Sequence, residues 1–239
     1  MCFSGEASFV VGGALLPAGA FCIGAALKKQ SPSYLGLAIV PLLFGIQQIS
    51  EGFVWLALER NPNVQPRAES LVFLFFALAF WPFWFPVLTA MMEPQPPRRW
   101  ILAGIALLAT AWFWVLYYPL LIDDDALTTR VEHHSIQYDY YSLPIYGQLE
   151  DWLKPAPAPV LRLPLQFLYL ASIAAPMLLS SNTWGRIPGL ILALSALFSA
   201  IVFHYAFVSV WCFFAAVLAG YLCWVFYQLE HPAEPAPAS

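Results

Sequence analysis

Glu51 is the only acidic residue inside a long apolar run of this chain, and Gln47 and Gln48 occupy adjoining helical positions of the same run, Tyr34 to Leu58. A carboxyl at membrane depth is costly unless it faces a polar cavity or a partner, so an intramembrane acid marks a functional site first. Trp55 follows at i+4 and extends the stripe, which is expected to face the bundle interior. Candidate ligands lie at a similar depth: Cys2 before the first run, His133 and His134 in the longest loop, and His204 between the last two runs. Thiolate and imidazole suit zinc, with copper as an alternative. In that reading Cys2, His133, His134 and His204 supply the metal. Glu51 is the general base for a metal-activated water, and Gln47, Gln48, Trp55 and Cys212 surround it. The reaction would be hydrolysis of a lipid ester or amide. The chain holds neither His-Glu-x-x-His nor Cys-x-x-Cys, so the set is a constellation across loops, not a linear motif.

The same residues admit plainer roles. Glu51 can pair with Arg60, Arg67 or Arg130, or share a hydrogen-bond network with Gln47 and Gln48. His204 can be satisfied by a backbone carbonyl, and Cys2 can form a disulfide with Cys212 in an oxidising compartment. Adjacent residues of a hairpin strand point to opposite faces, so at most one of His133 and His134 enters a common site. A non-catalytic class therefore stands beside the enzyme: a transporter, a cofactor-binding subunit or an assembly partner. There Glu51 is a proton or cation site, or His204 a haem ligand.

A membrane bundle must position these groups. Of the 239 residues, 61% are hydrophobic and only 10% charged, against roughly 25% charged in soluble domains. That leaves too few charges to cover a water-facing surface, and the mean hydropathy is +0.69. The net charge of -4 excludes a basic field for nucleic acid. The many Trp, Tyr and Phe read as lipid contact and packing rather than a binding cage. The N-terminus lacks a basic leader, with Glu6 in its place, and bulky Phe21 before Cys22 argues against lipoprotein processing, so the first run reads as a retained helix.

These features predict an all-α integral membrane protein with seven transmembrane helices over residues 1–229. The runs are Ser8 to Leu27, Tyr34 to Leu58, Ser70 to Met92, Trp100 to Ile122, Leu161 to Ser180, Ile187 to Tyr205 and Phe207 to Leu229. Pro82 and Pro86 predict a kink in the third. The last two runs nearly touch, which requires a tight turn at His204-Tyr205-Ala206. Lys28-Lys29, Arg98-Arg99 and Arg186 fall in alternate loops. The positive-inside tendency then places the N-terminus outside and the C-terminus in the cytoplasm of a cell membrane. The loop of residues 123–160, between helices four and five, predicts a short hairpin around His133-His134, then a polyproline-like spacer from Lys154 to Pro159. Residues 230–239 read as a disordered Pro/Ala-rich tail.

The opening Met1-Cys2-Phe3-Ser4-Gly5-Glu6-Ala7-Ser8 resembles an uncharacterised family of bacterial multi-pass membrane proteins that begin Met-Cys-Phe-Ser-x-x-Ala-Ser. The segment Pro41 to Gln48 with Glu51-Gly52, His133-His134-Ser135, and Trp211 to Ala215 also fits it. The resemblance implies a bacterial membrane protein and brings no mechanism. Two other seven-helix classes fit less well. A retinal-binding protein needs a Lys in its last helix, and none lies between Phe207 and Leu229. The ceramidase and progestin-receptor superfamily places His-x-x-x-His there, which this chain also lacks, leaving a similarity of topology alone.

Overall fold

Gly5, Gly12 and Gly19 recur every seven residues and leave a bare stripe along α1 (Gly5–Lys29); Gly45 and Gly52 do the same on α2 (Pro32–Arg60). Between helices in lipid, small residues let backbones approach closely. The approach is tightest at Gly19, where a Cβ would fall 2.5 Å from the Leu42 nitrogen and 2.7 Å from its Cα. This stripe clamps α1 onto α2 and fixes which α1 residues face Glu51.

The computed structural model describes residues 4–29, 32–153, 158–181 and 183–230. The remaining elements are α3 (Arg67–Met92), α4 (Pro96–Ile122), β1 (Thr128–Glu132), β2 (Ser135–Asp139), α5 (Pro144–Leu153), α6 (Ala158–Leu179), α7 (Thr183–Val202) and α8 (Phe207–Glu230). Among the described residues α1, α2, α3, α4 and α8 are long and apolar enough to cross a membrane. The shorter apolar stretches Pro164–Leu179 and Arg186–Val202 lie within α6 and α7, so five of the seven expected spans meet that criterion. The bundle closes with α8 packed on α1, α2 and α7, while α6 lies between α7 and α3. The expected turn is present as a single 3-10 turn, His204–Ala206.

The proline-rich third helix is kinked by a change of hydrogen-bond register. Pro82 has no N–H, and its ring would collide with the carbonyl one turn earlier. The preceding segment, Phe75–Phe80, widens into a π-helical turn, and the Trp81 amide bonds back five residues to the Phe76 carbonyl. In that register the Ala77 carbonyl would pair with residue 82, a proline, and so loses its main-chain partner. The Tyr169 hydroxyl of α6 donates to it at 2.6 Å. A second π-helical turn, Phe113–Tyr117, precedes Pro119 in α4, and the two widened turns pack together. Tyr169→Phe should therefore destabilise the protein by about 1–2 kcal/mol. Titration with denaturing detergent checks this; an unchanged midpoint would mean that the carbonyl has another donor.

β1 and β2 pair antiparallel with Thr129 opposite Tyr138 and Glu132 opposite Ser135. His133 and His134 occupy the two-residue turn at φ 47° and 58°, not opposite faces of a strand as expected. Both residues at positive φ make a turn whose twist matches the strands, and histidine is among the few side chains that tolerate that region. The hairpin docks on the start of α3. The Thr129 amide donates to Gln65 Oε1 at 2.8 Å, and Tyr138 stacks on Phe73 with ring centroids 5.0 Å apart. Residues 144–153, within the expected loop, form α5 instead. Spacer residues 154–157 and tail residues 231–239 lie outside the described residues; Ala158 and Pro159 already belong to α6.

Candidate functional site

Glu51 projects from α2 into the bundle and is fully buried, as are Gln47 and Gln48. Its Oε1 accepts a 2.5 Å hydrogen bond from the Ser209 hydroxyl of α8, and its Oε2 accepts from Gln48 Nε2 at 3.4 Å. Ser8 of α1 lies beside the same carboxyl, placed there by the glycine stripe. Gln47 turns towards α3, where its Oε1 accepts from Trp81 Nε1 at 2.6 Å; the Cys212 thiol of α8 lies next to its amide. Four helices thus contribute to one polar cluster inside an apolar bundle. Buried polar groups are normally hydrogen-bonded. Here Ser8 Oγ, Gln47 Nε2, Gln48 Oε1 and Trp55 Nε1 are buried without a partner among the described residues. The site therefore has spare donors and acceptors around one carboxyl, an arrangement that can hold a proton or a small polar ligand.

Two of the three arginines that could have paired with Glu51 are engaged elsewhere. Arg67 pairs with Asp124 at 3.0 Å and donates to the Leu120 carbonyl at 2.6 Å, closing the end of α4. Arg130 contacts Glu132 at 3.6 Å and Gln137 at 2.8 Å across the hairpin. Among the described residues Glu51 has no Lys, Arg or His within ion-pair distance.

The expected metal ligands do not assemble among the described residues, where no group of three His, Cys, Asp or Glu stands close enough to hold an ion. Cys2 lies outside the described residues, as does the side chain of His204. His133 and His134 are exposed at the hairpin tip. The His133 ring sits 5.2 Å from that of Tyr205, and its Nδ1 is 3.8 Å from Glu132. Cys212 is a buried free thiol. Trp55 is buried with the stripe, as its i+4 spacing requires.

Sequence reasoning missed Ser209 and Trp81, which bond Glu51 and Gln47, and Ser8, which lies beside them. It also missed a pocket of about 520 Å³, counted to its open mouth, between the hairpin, α5, α6 and the 204–206 turn. Tyrosines dominate its wall, and Ser209 reaches it. Ser209 thus lines the pocket and also donates its hydroxyl to the Glu51 carboxyl.

At the opposite end of the bundle lies a second buried acid. Glu93, just beyond α3, is 0% exposed and accepts from the Ser181 amide at 2.7 Å, the Ser180 hydroxyl at 3.0 Å and the Gln95 amide at 3.2 Å. Arg99 donates to its carbonyl, and Arg98 and Arg186 bond the same 179–181 loop. Burial works against this carboxylate, but the donors from Ser181, Gln95 and Ser180 outweigh it and hold its pKa at about 2. The folded value lies below the ordinary 4.5. Its stabilisation is therefore present above pH 4.5 and lost as pH falls towards 2. Glu93→Gln should cost about 1.5–3 kcal/mol at neutral pH. The gap to the parent should narrow in thermal unfolding at the acid end; a gap independent of pH would contradict the charged network.

Searches of curated proteins and of solved structures each returned no match. Residues 1–151 match the model of a family described as a family of unknown function, DUF6629. The match covers more than half of the chain and includes the glycine stripes, Glu51, the kinked third helix and the hairpin; the chain belongs to this family of unknown function.

Proposed function

We propose that this protein is a non-enzymatic bacterial membrane protein of seven spans in which Glu51 binds a proton or cation exchanged from the outer face, as in an ion-coupled carrier or its subunit. One observation carries the reading: a fully buried carboxyl, ringed by neutral polar groups and bonded by Ser209, a residue that also lines a pocket. An intramembrane acid with spare polar neighbours is what reversible ion binding needs. Two facts support seven spans. Tyr169 in α6 and Tyr205 after α7 both line the pocket at the hairpin end, while Ser180 and Ser181 between these helices bind Glu93 at the other. Lys28, Arg98, Arg99 and Arg186 gather at that other end, which supports a cytoplasmic location for it and an outer location for the hairpin.

A metal-dependent hydrolase, with zinc first and haem or copper as other cofactors, is the weaker reading. It needs Cys2, a hairpin histidine and His204 around Glu51, whereas the described partners of Glu51 are a serine and a glutamine. Infrared difference spectroscopy of the protein in lipid vesicles tests the proposal. Cycling the outer pH should move a carboxyl C=O band that is absent in Glu51→Gln. Identical difference spectra for parent and variant would end the reading.

A further inference from the structure

We infer that the tyrosine-lined pocket over Ser209 binds an organic ammonium cation, with Glu51 as its buried counter-charge; this deepens the proposed role of Glu51 and rests on it. Six tyrosines from separate parts of the chain meet there: Tyr138 of β2, Tyr140 and Tyr141 after it, Tyr146 of α5, Tyr169 of α6 and Tyr205 of the turn. Among the described residues no Lys, Arg, His, Asp or Glu lines the pocket. The polar residues that line it are the tyrosines, Gln166 and Ser209.

Ring faces carry a negative quadrupole and attract cations, most strongly where water is excluded. The rings are set at angles to one another, as a cage requires. Tyr141 and Tyr146 meet edge-on at 5.1 Å, and Tyr140 lies 6.2 Å from Tyr146 at 49°. Burial first, then the neighbouring Tyr146 and Tyr141, raises the Tyr140 hydroxyl well above the ordinary phenol range, so the ring stays neutral. Glu51 stands one hydrogen bond beyond Ser209, and the Asp139 carboxylate, which accepts from the Tyr141 amide at 3.3 Å, is a second negative charge beside the wall. An anion would meet both those charges and the ring faces, and both oppose it. A bare metal ion would need several converging oxygen ligands in exchange for its water. A weakly hydrated ammonium group needs only the rings and the distant charge.

The test uses the purified full chain, with tetramethylammonium as probe and neopentyl alcohol, a neutral molecule of the same shape, as control. Potassium ion is the inorganic control. Tetramethylammonium should raise the thermal midpoint saturably, and neither control should. Tyr140→Phe, which keeps the ring face, should bind within about two-fold of the parent, and Tyr140→Leu should bind at least about ten-fold more weakly. Tyr141→Leu, at a half-buried position, gives the same readout if the Tyr140 variant does not fold. Glu51→Gln should also weaken binding by about ten-fold. An equal response to neopentyl alcohol would reduce the pocket to an apolar cleft, and undiminished binding in Glu51→Gln would remove the counter-charge; either overturns the inference. If the infrared band of Glu51 moves with pH but tetramethylammonium does not bind, the inference fails and the proposed function stands. A band that does not move fails the proposed function itself.

Discussion

Gly19→Ala is expected to destabilise the protein by about 3 kcal/mol, although it adds a single methyl group. The new Cβ would lie 2.5 Å from the Leu42 nitrogen and 2.7 Å from the Leu42 Cα. Those are backbone atoms, and no rotamer change can move them aside. The helices must separate, and the contacts at Gly12 and Gly45, where each Cβ would already crowd the opposing backbone, separate with them. Displacing α1 also takes Ser8 away from Glu51. Gly13 and Gly24 supply internal controls, because a Cβ at either meets nothing within 4 Å. Alanine there should be neutral or stabilising by up to ~1 kcal/mol, the ordinary helix preference for Ala over Gly. Unfolding in mixed micelles measures all three variants. A Gly19→Ala midpoint equal to that of Gly24→Ala would show that the stripe does not clamp α1 to α2.

Glu51 should separate stability from function. Glu51→Leu leaves the Ser209 hydroxyl and the Gln48 amide buried without their acceptor, and should cost about 3 kcal/mol. Glu51→Gln keeps an oxygen for Ser209 and should fold within about 1 kcal/mol of the parent. Under the proposed function it nevertheless loses ion exchange, because an amide does not titrate. The same unfolding assay, paired with the infrared titration, checks both. A Glu51→Gln protein as unstable as Glu51→Leu would make the carboxyl a structural element.

Five of the spans, the turn at His204–Ala206 and the hairpin were legible because each rests on local composition: apolar length, an overlong run and alternation about His133-His134. The kink was legible from Pro82, but its form was not, since the donor to the Ala77 carbonyl comes from Tyr169, ninety-two residues away. Helix α5 stayed hidden because a short amphipathic helix opening with Pro144 and carrying Gly147 reads as a polar loop. Its apolar positions Ile145, Leu149 and Trp152 nevertheless follow helical spacing. The seven-residue glycine period was present in the sequence, yet only the pairing of α1 with α2 gives it meaning. For the site, the stripe Gln47, Gln48, Glu51 and Trp55 followed from spacing on one helix. Ser209 did not, because the chain has many serines and depth alone does not select one. The hairpin histidines met the same limit: topology sets the depth of a residue but not its angle around the bundle. Arg67 and Arg130 illustrate this, each having a nearer acid in Asp124 and Glu132 than Glu51.

Carbodiimide labelling of Glu51 in sealed vesicles is the most direct test of a membrane-embedded, exchangeable carboxyl. An apolar carbodiimide adds to protonated carboxyls within a bilayer, and peptide mass spectrometry identifies the modified residue. The account predicts adduct at Glu51 in the parent, none in Glu51→Gln, and protection of Glu51 when the pocket is filled by tetramethylammonium. An unmodified Glu51 in a folded protein whose surface acids react would show a locked structural carboxyl and contradict the account.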